Sequence, residues 1–255
     1  MLTAGIDIGI KYTKIVIWDE DKIVVKTCGL SGGIRREENV KALWENVLKE
    51  ASLDVADIKA IAVTGKGKYN ISFSENRKTE LTCMAQAAKN LCPEATMAVS
   101  VGADEILVAV LTDDGKVSEY AQNQKCSAGL GLMIDNLADE FEWESEQVSE
   151  LKGSHEIKVS DGCPVFARMD VLEHLNKGAA KSDVMQAVID AAAVRTSATM
   201  NDITYPNKNK VVLFGGLAGN KAFVSALEER TGITFMIPKY AQYAGAIGAA
   251  QQAAQ

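Results

Sequence analysis

Two stretches about 93 residues apart carry the same order of elements, and a chain built on such a duplication is committed to two related lobes. The first copy reads Gly5-Ile-Asp-Ile-Gly9, then the β-rich Thr13-Lys-Ile-Val-Ile-Trp18, a turn over residues 19–22, and the apolar run Ile23-Val-Val25. The second reads Ala98-Val-Ser-Val-Gly102, then Ile106-Leu-Val-Ala-Val-Leu111 and the turn Asp113-Asp-Gly-Lys116, where Gly115 suits the positive φ of a hairpin. Val40, Leu43, Trp44, Val47, Leu48 and Ala51 follow the first hairpin at helical spacing, so strands alternate with helices and the class is α/β. A length of 255 residues suits two such lobes.

Charge and cysteine usage narrow the function. A net charge of −7 with no basic stripe disfavours a nonspecific nucleic-acid binder, whose affinity comes from clustered cations. No apolar run approaches the roughly 20 residues of a membrane helix, and no signal-peptide layout is present, so a cytoplasmic protein without membrane contact is expected. The five cysteines form an odd set, which argues against a disulfide framework. His155 and His174 do not stand at zinc-motif spacing.

Two more strands end in glycine-rich turns, Ile61-Ala-Val-Thr-Gly65-Lys-Gly67 and Val211-Val-Leu-Phe-Gly215-Gly216-Leu-Ala-Gly-Asn220, the latter leading into a helical stretch over 221–230. Glycine lets backbone approach a ligand, and helix starts offer unpaired N–H groups to anions. Four such turns can surround one cleft. Cys126 and Cys163 each precede a helical pattern: Leu130, Met133, Ile134, Leu137 and Phe141 after the first, and Pro164 with the apolar face Val165, Met169, Leu172 and Leu175 after the second. A thiol at a helix N-terminus has a lowered pKa, which suits a thiolate bound to iron. Cys28, Cys83 and Cys92 read as small buried hydrophobes, and Trp44 and Trp143 as packing residues. The charges of residues 35–38 and 139–142 read as solvated faces, and His174 as a surface residue.

The motif order resembles the acetate and sugar kinase, Hsp70 and actin superfamily, whose ribonuclease-H-like lobes clamp ATP between two phosphate hairpins and a Gly-Gly adenosine loop. Within it, Lys125-Cys-Ser-Ala-Gly-Leu-Gly131, Asp161-Gly-Cys-Pro-Val-Phe-Ala167, Phe214-Gly-Gly-Leu-Ala-Gly-Asn220 and Tyr243-Ala-Gly-Ala-Ile-Gly-Ala-Ala250 are similar to the BadF/BadG/BcrA/BcrD ATPases. That family contains 2-hydroxyacyl-CoA dehydratase activators and ATP-binding subunits of benzoyl-CoA reductase. The resemblance implies a first lobe of residues 1–95 plus 240–255, the C-terminal Ala-rich tract returning to it as a helix, and a second lobe of residues 96–239 carrying the cluster cysteines. It implies an ATPase that delivers low-potential electrons to a CoA-thioester enzyme. Its cofactors would be ATP/ADP, Mg2+ and a [4Fe–4S] cluster shared between two subunits, each giving the equivalents of Cys126 and Cys163. Its partners would be a second copy or a paralogous ATPase subunit, acceptor dehydratase or reductase subunits, and a low-potential ferredoxin or flavodoxin donor.

Carried over residue by residue, the resemblance makes Asp7 the Mg2+ partner through water and Gly9, Lys11, Thr13, Lys14, Gly65, Gly102, Gly215, Gly216 and Asn220 nucleotide-binding positions, while Glu80 matches a family glutamate. The chain also departs from the pattern. Ile10 and Lys11 replace hydroxyl residues, Ser100 an acidic residue, Ala103 a glycine and Met84 a histidine, with Asp104 and Glu105 the nearest substitute carboxylates. These departures bear on hydrolysis more than on binding. They keep open a small-molecule kinase of the same superfamily and a non-hydrolysing nucleotide-binding regulatory subunit.

Overall fold

Each copy of the repeat builds a four-stranded mixed sheet in the computed structural model, which describes residues 1–20, 22–31, 35–72, 74–123, 129–204 and 210–253. In the first sheet, β1 (Leu2–Ile8) pairs antiparallel with β2 (Tyr12–Asp19) and parallel with β4 (Ala60–Thr64), while β3 (Lys22–Leu30) forms the edge beside β2. The second repeats this plan. Its β5 (Met97–Val101) pairs antiparallel with β6 (Ile106–Leu111) and parallel with β8 (Val211–Phe214), and β7 (Val117–Gln122) forms the edge.

By internal contacts the chain divides into a unit of Met1–Ala95, Leu111–Val117 and Tyr243–Gln255 and a unit of Thr96–Val110 and Ser118–Gln242. In the first, α1 (Arg36–Ala51) buries Val40, Trp44, Val47 and Leu48 against Ile6, Ile15, Ile17 and Val63, each such side chain contributing about 1.5–3 kcal/mol. Left-handed Ser52 ends that helix. Thr79 caps α2 (Glu80–Leu91) by accepting from the Thr82 amide. The Ala-rich helix α8 (Ala244–Ala253) packs on β1, where a Cβ on Gly5 would meet the Ala246 carbonyl at 1.9 Å; Thr3 Oγ1 donates to the Ala250 carbonyl nearby. Small residues there let helix and strand backbones touch.

In the second unit, α3 (Leu130–Phe141), α4 (Ser145–Ser149), α5 (Pro164–Asn176), α6 (Lys181–Asn201) and α7 (Lys221–Thr231) accompany the sheet. Helix α6 is the central one, with thirteen buried residues including Met185, Ile189 and Met200. No helix among the described residues is long and apolar enough to cross a membrane.

Candidate functional site

The first unit gathers charge at the end of β1. Asp7, the penultimate residue of that strand, lies in register with Lys14 on β2 and Thr64 on β4. Gly65 has φ +86° and a Cβ there would fall 2.6 Å from Asp7 Oδ1; one on Gly245, at the start of α8, would fall 2.7 Å from Oδ2. Two glycines from separate elements thus leave the carboxylate its room. Burial raises the Asp7 carboxyl above its ordinary value, Lys14 and Lys68 pulling it down and Glu80 pushing it up. Lys68 Nζ meets Glu80 Oε2 at 2.9 Å with both side chains largely shielded, and the exposed Tyr69 ring stands beside the Lys68 ammonium.

The β1–β2 turn is braced from within. Gly9 N–H donates to the Tyr12 carbonyl at 3.0 Å, and Ser31 donates its amide to the Lys11 carbonyl and its hydroxyl to the Gly9 carbonyl, both at 2.8 Å. Thr13 is buried with its hydroxyl 3.0 Å from Ser31 Oγ, so its side chain shapes the turn. Lys14 Nζ lies beside Gly9, and Lys11 Nζ stands over the Tyr12 ring at 5.4 Å. Under the site, the buried Thr64 hydroxyl lies against the Cys83 thiol, which burial pushes up to about 12, so Cys83 stays a neutral thiol.

The second unit has the same frame with other chemistry. Ser100 is penultimate in β5 as Asp7 is in β1, but its register partners are Leu107 and Phe214. Gly102 N–H donates to the Glu105 carbonyl at 2.8 Å and closes the β5–β6 turn. Asn123 accepts from the Ile106 amide at 2.8 Å and donates to the Asp104 carbonyl at 3.3 Å, while Gln122 donates to Glu105. Gly215, φ +90°, packs on the Val101 backbone, and Gly216 is exposed. Asn220 caps α7 by accepting from the Phe223 amide at 2.9 Å.

Cys163 is half-buried and forms the N-cap of α5 with Pro164 at the first helical position. Cys126 lies outside the described residues. Gly129, which opens α3 at φ +106°, would bring a Cβ 3.5 Å from the Pro164 ring, so the starts of α3 and α5 stand side by side. Arg168 Nη2 on α5 also meets Glu140 Oε2 on α3 at 2.7 Å. The apolar positions of α5 depart from expectation. Val165, Phe166, Met169 and Leu172 are exposed and only Ala167 and Val171 are buried, because α5 packs on its small face. Cys28 is likewise exposed, on edge strand β3, whereas Cys83 and Cys92 are buried. Half-buried His174 is also engaged: its Nε2 lies 3.1 Å from the Lys158 carbonyl. Among the described residues no three His, Cys, Asp or Glu are grouped for a metal.

Lys68, Ser31 and Gly245 join the site without having been singled out, because their partners are distant in sequence. Only the Tyr243-Ala-Gly motif carried a signal for any of them.

The model of the BadF/BadG/BcrA/BcrD ATPase family matches residues 4–253. A 2-hydroxyisocaproyl-CoA dehydratase activator of Clostridioides difficile is 29% identical over 252 residues, covering 98% of this chain and 94% of the activator. The solved structure of such an activator from Clostridium difficile, with bound ADPNP, matches with a TM-score of 0.87 at 29% identity, over 99% of this chain and 94% of that one. A benzoyl-CoA reductase subunit of Thauera aromatica is 26% identical over 263 residues, 98% of this chain and 92% of the reductase chain. As fold alone, the likeness extends to a ROK family glucokinase of Streptomyces griseus, with a TM-score of 0.59 at 12% identity over the whole of both chains.

Proposed function

Because the chain belongs to the BadF/BadG/BcrA/BcrD ATPase family, we propose that it is an ATP-driven electron activator for a CoA-thioester enzyme of the 2-hydroxyacyl-CoA dehydratase or benzoyl-CoA reductase type. The observation that carries this reading is the adjoining of the two helix starts that follow Cys126 and Cys163, beside an apolar α5 face that this chain alone leaves in solvent. Thiolates at two such starts gain from the partial positive charge of the helix ends. Two chains of this kind supply the four thiolates that a [4Fe–4S] cluster takes, and Val165, Phe166, Met169 and Leu172 then have a second copy or a paralogous subunit to cover them. Such a cluster, when bound, would supply a one-electron carrier whose potential answers to its surroundings.

In this reading Asp7 serves the Mg2+ of a bound nucleotide. Gly65 and Gly245 spare each carboxylate oxygen a Cβ contact, and burial makes charge there costly, which a divalent cation relieves. Magnesium keeps most of its shell as water and phosphate, so a single carboxylate is a sufficient protein contribution. Lys14, beside the Gly9 turn, offers a cation to phosphates, and in the second unit the β5–β6 turn and the Gly215-Gly216 loop are the nucleotide-binding elements of this reading. The two units are the ribonuclease-H-like lobes, with bounds near 1–95 plus 240–255 and 96–239. A low-potential ferredoxin or flavodoxin is the donor, and the acyl-CoA is handled on another protein in the cytoplasm. The register of Ser100 with Leu107 and Phe214 favours a second reading, in which this chain binds nucleotide but contributes little of the turnover in a heteromeric pair.

Anaerobic purification followed by iron and sulfide assay tests the proposal. About four irons per two chains are expected, lost in Cys126→Ser and Cys163→Ser and kept in Cys83→Ser. An iron-free wild type that still binds ATP would leave the kinase and regulatory readings instead.

A further inference from the structure

We infer that the β5–β6 turn, residues 102–105, is the element through which a nucleotide acts on the cysteine-bearing helix starts, with Gly131 and the Leu132 amide as its positioning groups. This rests on the reading that the turn meets a nucleotide. Three contacts within the second unit form one continuous stack. First, a Cβ on Gly131 would lie 2.3 Å from the Gly102 carbonyl oxygen and 3.2 Å from Ala103 Cα, so backbone rests on backbone with no side chain to cushion it. Second, Leu132 N–H donates to the Ala103 carbonyl at 2.8 Å. Leu132 is the third residue of α3, where an amide has no acceptor inside its own helix, and the turn satisfies it. Third, Gly129 neighbours Pro164, the residue after Cys163: a Cβ there would sit in ordinary van der Waals contact, 3.5 Å from the ring.

A displacement of the turn therefore cannot be absorbed locally, because close-packed backbone transmits strain. The Leu132 bond and the Gly131 contact carry it to the start of α3, which neighbours the start of α5. A small hollow lined by Gly102, Ala103, Asn123, Gly129, Ala192 and Leu217 adjoins the contact. Coupling needs an alternative arrangement of the turn that the nucleotide prefers. The path lies wholly within the second unit.

The test uses the full chain purified anaerobically, with hydrogen exchange read by mass spectrometry over residues 133–141 and 164–170, with and without saturating MgATP or MgADP. Wild type is expected to change exchange in both segments by about tenfold on nucleotide binding, within the usual range of coupling between sites. Leu132→Pro, which removes the amide within the first helical turn, where proline is tolerated, is expected to reduce the change to less than about twofold while nucleotide affinity stays within about threefold. Leu132→Ala keeps the amide and is expected to restore the response. Gly131→Ala, whose methyl forces the turn away, is expected to act as Leu132→Pro does. A full response in both Leu132→Pro and Gly131→Ala overturns the inference, as does an unresponsive wild type saturated with nucleotide. Iron content of the same samples reads the cluster proposal separately, so a responsive but iron-free wild type would sink that reading and leave this coupling standing.

Discussion

The two sheets share a frame and differ in what they place at its active edge. In both, the central strand pairs antiparallel with the next strand and parallel with a later one, and the penultimate residue of that strand meets one residue from each neighbour. In the first sheet that trio is Asp7, Lys14 and Thr64; in the second it is Ser100, Leu107 and Phe214. The first holds a carboxylate that burial raises above its ordinary value, with Lys14, Glu80 and Lys68 acting on it. Around Ser100 are apolar register partners, and the turn beyond it is committed to the start of α3. The two copies share the scaffold, while one places charged residues at the end of its central strand and the other packs its turn on the start of α3.

The largest effect that separates the copies is on turnover. Asp7→Asn is expected to lower MgATP hydrolysis by about 10²-fold or more, whereas Ser100→Ala stays within about threefold; equal losses would erase the distinction. The same Asp7→Asn should raise the Tm of the nucleotide-free protein by roughly 2–4 °C. The sign follows from the raised carboxyl. The folded state is penalised increasingly as the pH climbs from the ordinary carboxyl value through the raised one, and the amide removes that penalty at neutral pH.

Placing charge in the second frame gives the next effect. Ser100→Asp should cost about 1–3 kcal/mol in denaturant unfolding, because its lateral partners are apolar, without raising turnover. A gain in hydrolysis would mean that the second copy retains latent chemistry.

The smallest effect lies in the segment leading to Cys163. His155 Nδ1 meets Asp190 Oδ2 on α6 at 2.7 Å, and that hydrogen bond, then the Asp190 charge and to a lesser degree Glu229 on α7, raise the imidazole above its ordinary 6.5. The pair's stabilisation is complete below pH 6.5 and is lost as the pH climbs through the raised value. His155 is mostly exposed, so His155→Ala should flatten this slope in pH-dependent unfolding by no more than about 1 kcal/mol. A slope that survives the substitution would assign it to another group.

Much of this was legible in the sequence. The repeat, the strand-ending glycines and the Pro164 helix start are local signals, and the sheets and α5 form where those signals lie. Helical periodicity on α5 marks apolar residues but not what they face, since a core and a subunit interface impose the same spacing. Lys68, Ser31 and Gly245 are set by contacts between distant segments, which no local pattern records.

By itself, then, the order of residues determined two copies of a strand–turn–strand unit, their alternation with helices and the placement of thiols ahead of helices, because these depend on neighbours a few positions apart. Only the tertiary structure decided that Gly65 and Gly245 converge on Asp7, that Ser100 faces apolar partners, and that Gly131 and Leu132 rest on the β5–β6 turn. Those relations come from the register of paired strands and from close backbone packing, quantities that exist only once the chain has folded on itself.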